Sequence, residues 1–422
     1  MSAGRPLRIC FVAYRGNMHC GGQGIYLWFL ARELVRQGHA VDVLVGPPYP
    51  DPMPFAGEVV RLPNEQFWAK WFLRDRRRFL SRPNPLSVFD PLTFYELGAS
   101  RLGFLPEPFA FSLRAFAGLA RRLRRGYRYD LVHDVQCLGY GLLGIRALGL
   151  PVVTTVHHPL TVDRRASFAR DRSLSDRVGT MQFYPVGMQS FVARRLDRVL
   201  TSSRASEAHI RRDFGVAAPR LRMVGNGLDT DLYSPDPSVP RAETELLCVG
   251  RATDPNKGIR TLLSALARLP GRVALTLVDD DGRGNPVRRW AREAGLGDRL
   301  TLTGRVETGR LVELYRRAAV VVVPSRYEGF GLPAAEAMAC GAPVVCTDAG
   351  ALAEIVDAGD GVLVPRDDAE ALAKALSALL EQPEARARLG ARARAGIVDT
   401  FSWPRVAART TDIYREALAN PT

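Results

Sequence analysis

Ser325-Arg326-Tyr327-Glu328-Gly329-Phe330-Gly331-Leu332-Pro333-Ala334-Ala335-Glu336-Ala337-Met338-Ala339-Cys340-Gly341 is the stretch on which the reading of this 422-residue chain turns. Four consecutive valines, Val320 to Val323, stand just before it. A run of that kind suits a parallel strand buried on both faces. The glycines at 329 and 331 let backbone come close to a ligand. Pro333 fits the first turn of a helix, where its missing N–H is no loss. Strand, glycine turn and helix start in this order make an anion site, because the first N–H groups of a helix lack partners and point outward. Glu328 precedes the turn and Glu336 lies about one helical turn inside it, so the two carboxylates can serve different ends of one elongated ligand.

Working outward, the same half of the chain repeats a strand–helix rhythm. The expected elements are strand Leu246–Val249, helix Ile259–Leu269, strand Val273–Val278, a helix near Val287–Ala294, strand Leu300–Thr303 and helix Gly309–Arg317. Strand Val320–Pro324, helix Pro333–Cys340, strand Pro343–Thr347 and helix Ala369–Gln382 follow. Such alternation builds a parallel sheet covered by helices. Gly250-Arg251-Ala252-Thr253-Asp254-Pro255-Asn256-Lys257-Gly258 falls after the first of these strands, so Arg251 and Lys257 belong to the end of the sheet where open α/β folds bind ligands. Two cations and a helix start suit a diphosphate whose negative charge grows as a bond to it breaks. Before Glu245, Pro235, Pro237 and Pro240 read as a linker.

The N-terminal half opens with an apolar run, Arg8–Ala13, a loop containing Gly21-Gly22-Gln23-Gly24, a helix over Ile25–Gln37 closed by Gly38, and a strand, Ala40–Val45. Later strands are expected at Leu131–His133, Pro151–Val156, Arg198–Thr201 and Arg222–Val224. The fold class is therefore α/β, with two Rossmann-like domains facing a central cleft. The expected boundaries are 1–235, 245–402 and a C-terminal helix at 403–422 that crosses back to the first domain. Residues 55–128 fit no simple strand–helix unit. They interleave Phe67, Trp68, Trp71, Phe72 and Phe79 with Lys70, Arg74, Arg76, Arg77, Arg78 and Arg82, and carry a second basic cluster at Arg121, Arg122, Arg124 and Arg125. Helices with a solvated basic face are one reading; a platform for a lipid or an anionic membrane surface is the other.

With these residues in place, the chain resembles family 4 (group 1) retaining glycosyltransferases of the GT-B fold. The likeness rests on Glu328 and Glu336 separated by seven residues, on Gly250-Arg251 with Lys257-Gly258, and on Asn226-Gly227-Leu228-Asp229, in that family's order. The N-terminal match is sparser: Gly21-Gly22, Gly38-His39-Ala40-Val41, Asp130-Leu131-Val132-His133 and Val153 to His157. The resemblance implies a nucleoside-diphosphate-sugar donor, no cofactor and no metal. It implies that Arg251 and Lys257 bind the donor phosphates, that Glu336 holds the ribose hydroxyls, and that Glu328 holds a hydroxyl of the transferred sugar. Backbone N–H groups of Gly329, Phe330, Gly331 and Leu332 assist, and Val306 meets the base. Gly22 lets the N-terminal loop approach the diphosphate across the cleft. His157 matches the family's active-site histidine, with His158 beside it as the competing choice, and Glu328 is a positioning group. The implied reaction retains configuration by front-face attack, the leaving phosphate accepting the acceptor's proton.

Two departures from that pattern stand out. Asp279-Asp280-Asp281-Gly282 replaces the usual glycine turn and resembles a D-x-D metal site, but the paired domain rhythm and the phosphate cations favour a metal-free acidic loop. The second departure is the stretch 55–128, where acceptor choice is expected to lie.

Composition bounds the rest. The net charge is +14, with only three lysines among 58 basic residues. A positive field attracts phosphates, but no zinc finger, RNA-binding motif or basic helix repeat points to nucleic acid. Six scattered cysteines without a C-x-x-C pair fit a reduced compartment. No apolar run approaches the roughly 18 residues of a membrane span. A cytoplasmic enzyme is expected, at most peripheral on the inner membrane face. The acceptor is left open among a lipid, a glycan and a small molecule. A nucleotide-sugar epimerase or glycan synthase on the same fold, and a non-catalytic membrane-docking protein, are the competing readings. A nicotinamide dehydrogenase lacks its full glycine fingerprint here.

Overall fold

The structure is a computed structural model, and it describes residues 5–18, 22–64, 86, 89–157, 159–168, 171, 173–183, 185–282 and 284–420. His158 and the residues from 65 to 85, which hold the Phe67–Arg82 aromatic and basic sequence, lie outside the described residues. The chain divides into two compact units. One comprises residues 1–202, 206–224 and 406–422; the other comprises 203–205 and 225–405.

The first unit holds a sheet of seven strands: β1 (Arg8–Ala13), β2 (Ala40–Val45), β3 (Glu58–Arg61), β4 (Leu131–Val135), β5 (Val152–Val156), β6 (Arg198–Thr201) and β7 (Leu221–Met223). Their spatial order is β3-β2-β1-β4-β5-β6-β7 and every pairing is parallel. The second holds β8 (Glu245–Val249), β9 (Ala274–Val278), β10 (Leu300–Leu302), β11 (Val320–Val323), β12 (Val344–Thr347) and β13 (Val362–Val364). Its order is β10-β9-β8-β11-β12-β13, again all parallel. These are two Rossmann-like sheets, and in each the strand order reverses beside the first strand. The reversals, β1 against β4 and β8 against β11, leave a crevice at the carboxyl ends of the strands where ligands of such sheets bind.

The physical reason for the layering is plain in the sequence. β11 is four valines, all buried, and helices cover both sides of it. Leu247, Val321, Val323 and Val344 pack into one core, while Leu246, Val320, Val322 and Val345 pack into another. Alternate residues of one strand thus serve opposite faces.

Several boundaries differ from the sequence reading. Within 55–128 the described residues are more regular than expected: they hold β3 and helices Pro91–Arg101 and Glu107–Arg124, the second of which leads back to β4. Arg122 is not part of a solvated basic face. It is buried, bonded to Asp42 and Glu58 at 2.6 Å each and to the Tyr129 hydroxyl at 2.7 Å. Arg121, Arg124 and Arg125 are exposed. The final helix runs over Trp403–Ala419 and takes Pro404 into its first turn. Residues 225–244, which include the prolines read as a linker, are tied to the second unit: Arg394 donates to Tyr233 O and Ala242 N–H to Arg317 O, both at 2.7 Å.

Candidate active site

In the second unit, two loops meet at the reversal of the sheet. The loop after β8 ends in a short turn, Pro255–Lys257, capped by the Asp254 carboxylate on Asn256 N–H at 2.9 Å. Gly258 follows with φ +61°, and a Cβ there would stand 1.8 Å from Pro324 O. Only glycine satisfies both conditions. The contact brings the loop against the segment after β11, where Arg326 N–H donates to Asn256 O at 2.7 Å. Lys257 then reaches Glu328: Nζ to Oε1 is 2.6 Å. Ser325 Oγ donates to the same oxygen at 2.8 Å. On the other side, Ala351 N–H donates to Glu328 O at 2.9 Å. Glu328 is thus fixed by its backbone and its side chain together.

Arg251 occupies the same loop and is exposed. The loop's geometry comes from Asp279, whose Oδ2 accepts from Ala252 N–H at 2.8 Å and from the Asn285 side-chain amide at 2.7 Å. The acidic run is therefore a brace. Asp281 pairs with Arg288 at 2.8 Å, and Asp280 lies 3.8 Å from Arg305. Among the described residues, no three His, Cys, Asp or Glu side chains are grouped so as to hold a metal ion.

Gly331, φ +96°, starts the helix Leu332–Ala339, and no side chain caps it. Pro333 has no N–H, and Ala334 and Ala335 N–H donate back to Gly331 O at 3.0 and 3.2 Å, so the helix offers an anion its Leu332 N–H together with the partial positive charge of its dipole. Glu336 is on this helix with partners of its own. Tyr315 donates to its Oε2 at 2.9 Å, and the Tyr233 hydroxyl also bonds it. Burial pushes its carboxyl up to about 7, and the two phenol hydrogen bonds only partly offset that. So the structure brings Lys257 and Glu328 together and gives Glu336 a separate, tyrosine-lined setting. Neither Tyr233 nor Tyr315 figures in the sequence reading. Tyr315 sits in an amphipathic helix, where an aromatic residue signals core and nothing more. Val306 is half-buried in the turn after β10.

In the first unit, Gly22 and Gly24 differ. A Cβ on Gly24 would meet Asn17 O at 2.1 Å, whereas one on Gly22 would meet nothing within 4 Å. Packing within the chain accounts for glycine at 24 and leaves the surface over Gly22 open. The helix begins at Gly22, three residues before the sequence reading placed it. His157 is half-buried at the end of β5, its N–H donating to Gln136 Oε1 at 2.8 Å. Gln136 holds that position with φ +53°, a left-handed backbone unusual for a side-chain-bearing residue. Buried Asp134 stabilises the turn by accepting from Cys137 and Leu138 N–H and from Thr154 Oγ1. His133 is a core residue, stacked on Phe11 at 4.9 Å, and burial drops its ring to about 3, so it stays neutral.

Comparison with known proteins agrees with this architecture. Residues 230–396 match the profile of "Glycosyl transferases group 1", and residues 21–227 match "Glycosyl transferase 4-like domain". The chain is 38% identical over 417 residues to an MMP alpha-(1->4)-mannosyltransferase of Mycolicibacterium hassiacum, covering 98% of this chain and 99% of that one. It is 32% identical over 429 residues to a D-inositol 3-phosphate glycosyltransferase of Xylanimonas cellulosilytica, covering 95% and 93%. Among solved structures, the sucrose-phosphate synthase of Thermosynechococcus elongatus superimposes with a TM-score of 0.69 at 25% identity, over 98% of this chain and all of that one. HepE of Anabaena, in complex with UDP-glucose, gives 0.65 at 20% identity over 97% of this chain, a likeness of fold. The chain therefore belongs to the group 1, family 4 glycosyltransferases and has their GT-B fold of two Rossmann-like domains. It is a glycosyltransferase that moves a sugar from a nucleotide-sugar donor.

Proposed function

We propose that this glycosyltransferase transfers a mannosyl residue from a nucleoside-diphosphate mannose to a hydroxyl of a mannoside acceptor, with retention, forming an α-(1→4) linkage. The donor class follows from the family; the sugar and the linkage follow the mannosyltransferase relative, which matches over nearly the whole chain. In the reaction the acceptor oxygen bonds to the sugar's anomeric carbon as the carbon–oxygen bond to the diphosphate breaks. The acceptor's proton passes to the departing phosphate oxygen, leaving a glycoside and a nucleoside diphosphate.

The observation that carries the reading is the 2.6 Å contact between Lys257 and Glu328 at the sheet reversal. It sets a cation suited to a leaving diphosphate next to a carboxylate suited to a sugar hydroxyl. Arg251 and the N–H groups of Gly329, Phe330, Gly331 and Leu332 complete the anion site, stabilising charge that grows in the transition state. Glu336 accepts from the ribose hydroxyls, and Val306 meets the base. Gly22 and His157 serve the same reaction from the N-terminal domain, His157 near the transferred sugar. No metal is required, because fixed cations and helix amides take its electrostatic role.

The test is to incubate the protein with nucleoside-diphosphate mannose, glucose and galactose, each with methyl α-mannoside. Mass spectrometry and NMR of the product should show mannosyl transfer and an α-(1→4) bond. Transfer to D-inositol 3-phosphate in preference to the mannoside would overturn the acceptor assignment. No helix among the described residues is long and apolar enough to cross a membrane. The exposed arginines 121, 124, 125 and 128 offer instead a face for anionic lipid. Sedimentation with phosphatidylglycerol vesicles should then weaken as salt rises, and binding indifferent to salt would refute that contact.

A further inference from the structure

A chain of buried polar contacts runs from the last helix of the first unit to the histidine at the end of β5. Tyr414, on the helix Trp403–Ala419, has its hydroxyl 2.5 Å from His133 Nδ1. The other ring nitrogen of His133 lies 2.7 Å from Thr155 Oγ1. Thr155 Oγ1 is in turn 3.0 Å from the Tyr26 hydroxyl. The Tyr26 ring meets the His157 imidazole edge to face, with centroids 4.5 Å apart at 76°. Tyr414, His133, Thr155 and Tyr26 are all buried.

Buried polar groups are costly unless each finds a partner, and a satisfied network of them fixes one arrangement. The neutral His133 ring gives one hydrogen bond and takes one, so it couples its two neighbours in a definite order. We infer that Tyr414 is a positioning residue for His157, acting through His133, Thr155 and Tyr26 to set where the imidazole stands. The inference rests on the proposed role of His157 near the sugar. It adds a residue from the far end of the chain, 257 positions after the histidine it serves.

Two features argue for positioning beyond simple packing. A phenylalanine at 26 or 414 would fill the same space, so the hydroxyls are there for their bonds. His157 is also held from its other side, by the Gln136 amide oxygen at its own N–H. Gln136 anchors the backbone of His157 and the Tyr26 ring packs against its imidazole, so a shift of that ring bears directly on the imidazole's orientation.

The experiment uses the full chain and the variants Tyr414→Phe, Tyr26→Phe and His157→Asn, singly and combined. Each Tyr→Phe change should lower kcat about three- to tenfold, the kinetic equivalent of one net hydrogen bond, and leave the donor KM unchanged. In the His157→Asn background, either change should cause no further loss, because residues acting through one group are not additive. Additive losses would overturn the inference and mark the network as general scaffolding. The chain has six histidines, so its ring resonances are resolvable by NMR, and the His157 signal is identified by its loss in His157→Asn. That signal should move in Tyr414→Phe; a stationary signal refutes the positioning whatever the rate. A native rate in His157→Asn with a moving signal would instead remove His157 from the reaction and leave the chain of contacts standing.

Discussion

The loops at the sheet reversal of the second unit and those at the reversal of the first are built by different means. In the second, Asn256, Lys257 and Gly258 meet Pro324, Arg326 and Glu328 through one close backbone approach, one backbone hydrogen bond and one ion pair. Two short segments carry nearly everything. In the first, His157 is linked to Gln136, Tyr26, Thr155, His133 and Tyr414, which come from β4 and the loop after it, β5, the helix Gly22–Arg36 and the last helix. A compact cluster of fixed charges suits a ligand common to a whole family, a nucleoside diphosphate. A distributed support can be altered piece by piece without dismantling the fold.

Lys257→Ala puts this contrast to its most severe test. On its proposed role at the leaving diphosphate, removing this preorganised charge should cut kcat by about 10²- to 10³-fold, measured as product formed at saturating donor. A loss under threefold would mean that the compact cluster is not the diphosphate site. Gly258→Ala probes the same place through the backbone. A side chain forced to φ +61° against Pro324 O should cost about 2 kcal/mol or more and lower the melting temperature by several degrees. An unchanged melting curve would show that the two loops are not braced there.

Glu336 adds a test by pH. Its carboxyl stands at about 7 in the folded protein against an ordinary value of 4.5. The folded state therefore holds this proton more tightly than the unfolded one, so the group's contribution is fully present below pH 4.5. It is lost as pH rises through 7. Glu336→Gln removes that dependence. The variant's melting temperature, relative to the native protein, should climb between pH 5 and 8; a difference constant with pH would contradict the burial-driven shift. The smallest expected effect comes from EDTA, which should change the transfer rate by less than about twofold, since arginines already answer Asp280 and Asp281. A steep loss restored by added Mg²⁺ or Mn²⁺ would reopen the acidic loop as a metal site.

Much of the second unit was legible in advance because its signals are local. Val320–Val323, the glycines 329 and 331 and Pro333 each state a backbone preference within a few residues, and β11 and the helix after it fall where those preferences put them. Other elements escaped. Helices Leu160–Phe168, Leu174–Phe183 and Leu352–Gly359 and the three-residue β13 were not anticipated, since short elements offer too few turns or alternations to establish a period. The cluster at 121–125 was misread at Arg122 because charge in a sequence carries no sign of Asp42 and Glu58, which only folding brings to it.

Local signals specify the two-sheet architecture, a helix start within one residue of Leu332 and the residue types set around it, because periodicity and turn chemistry act over a handful of neighbours. Which charge answers which depends on the packed fold. It paired Lys257 with Glu328 and gave Glu336 to two tyrosines. It turned Asp279 into a loop brace and joined Tyr414 to His133. Those partners are separated by up to 281 positions. Their pairing follows from desolvation, which makes every buried polar group find whatever the packed chain places beside it.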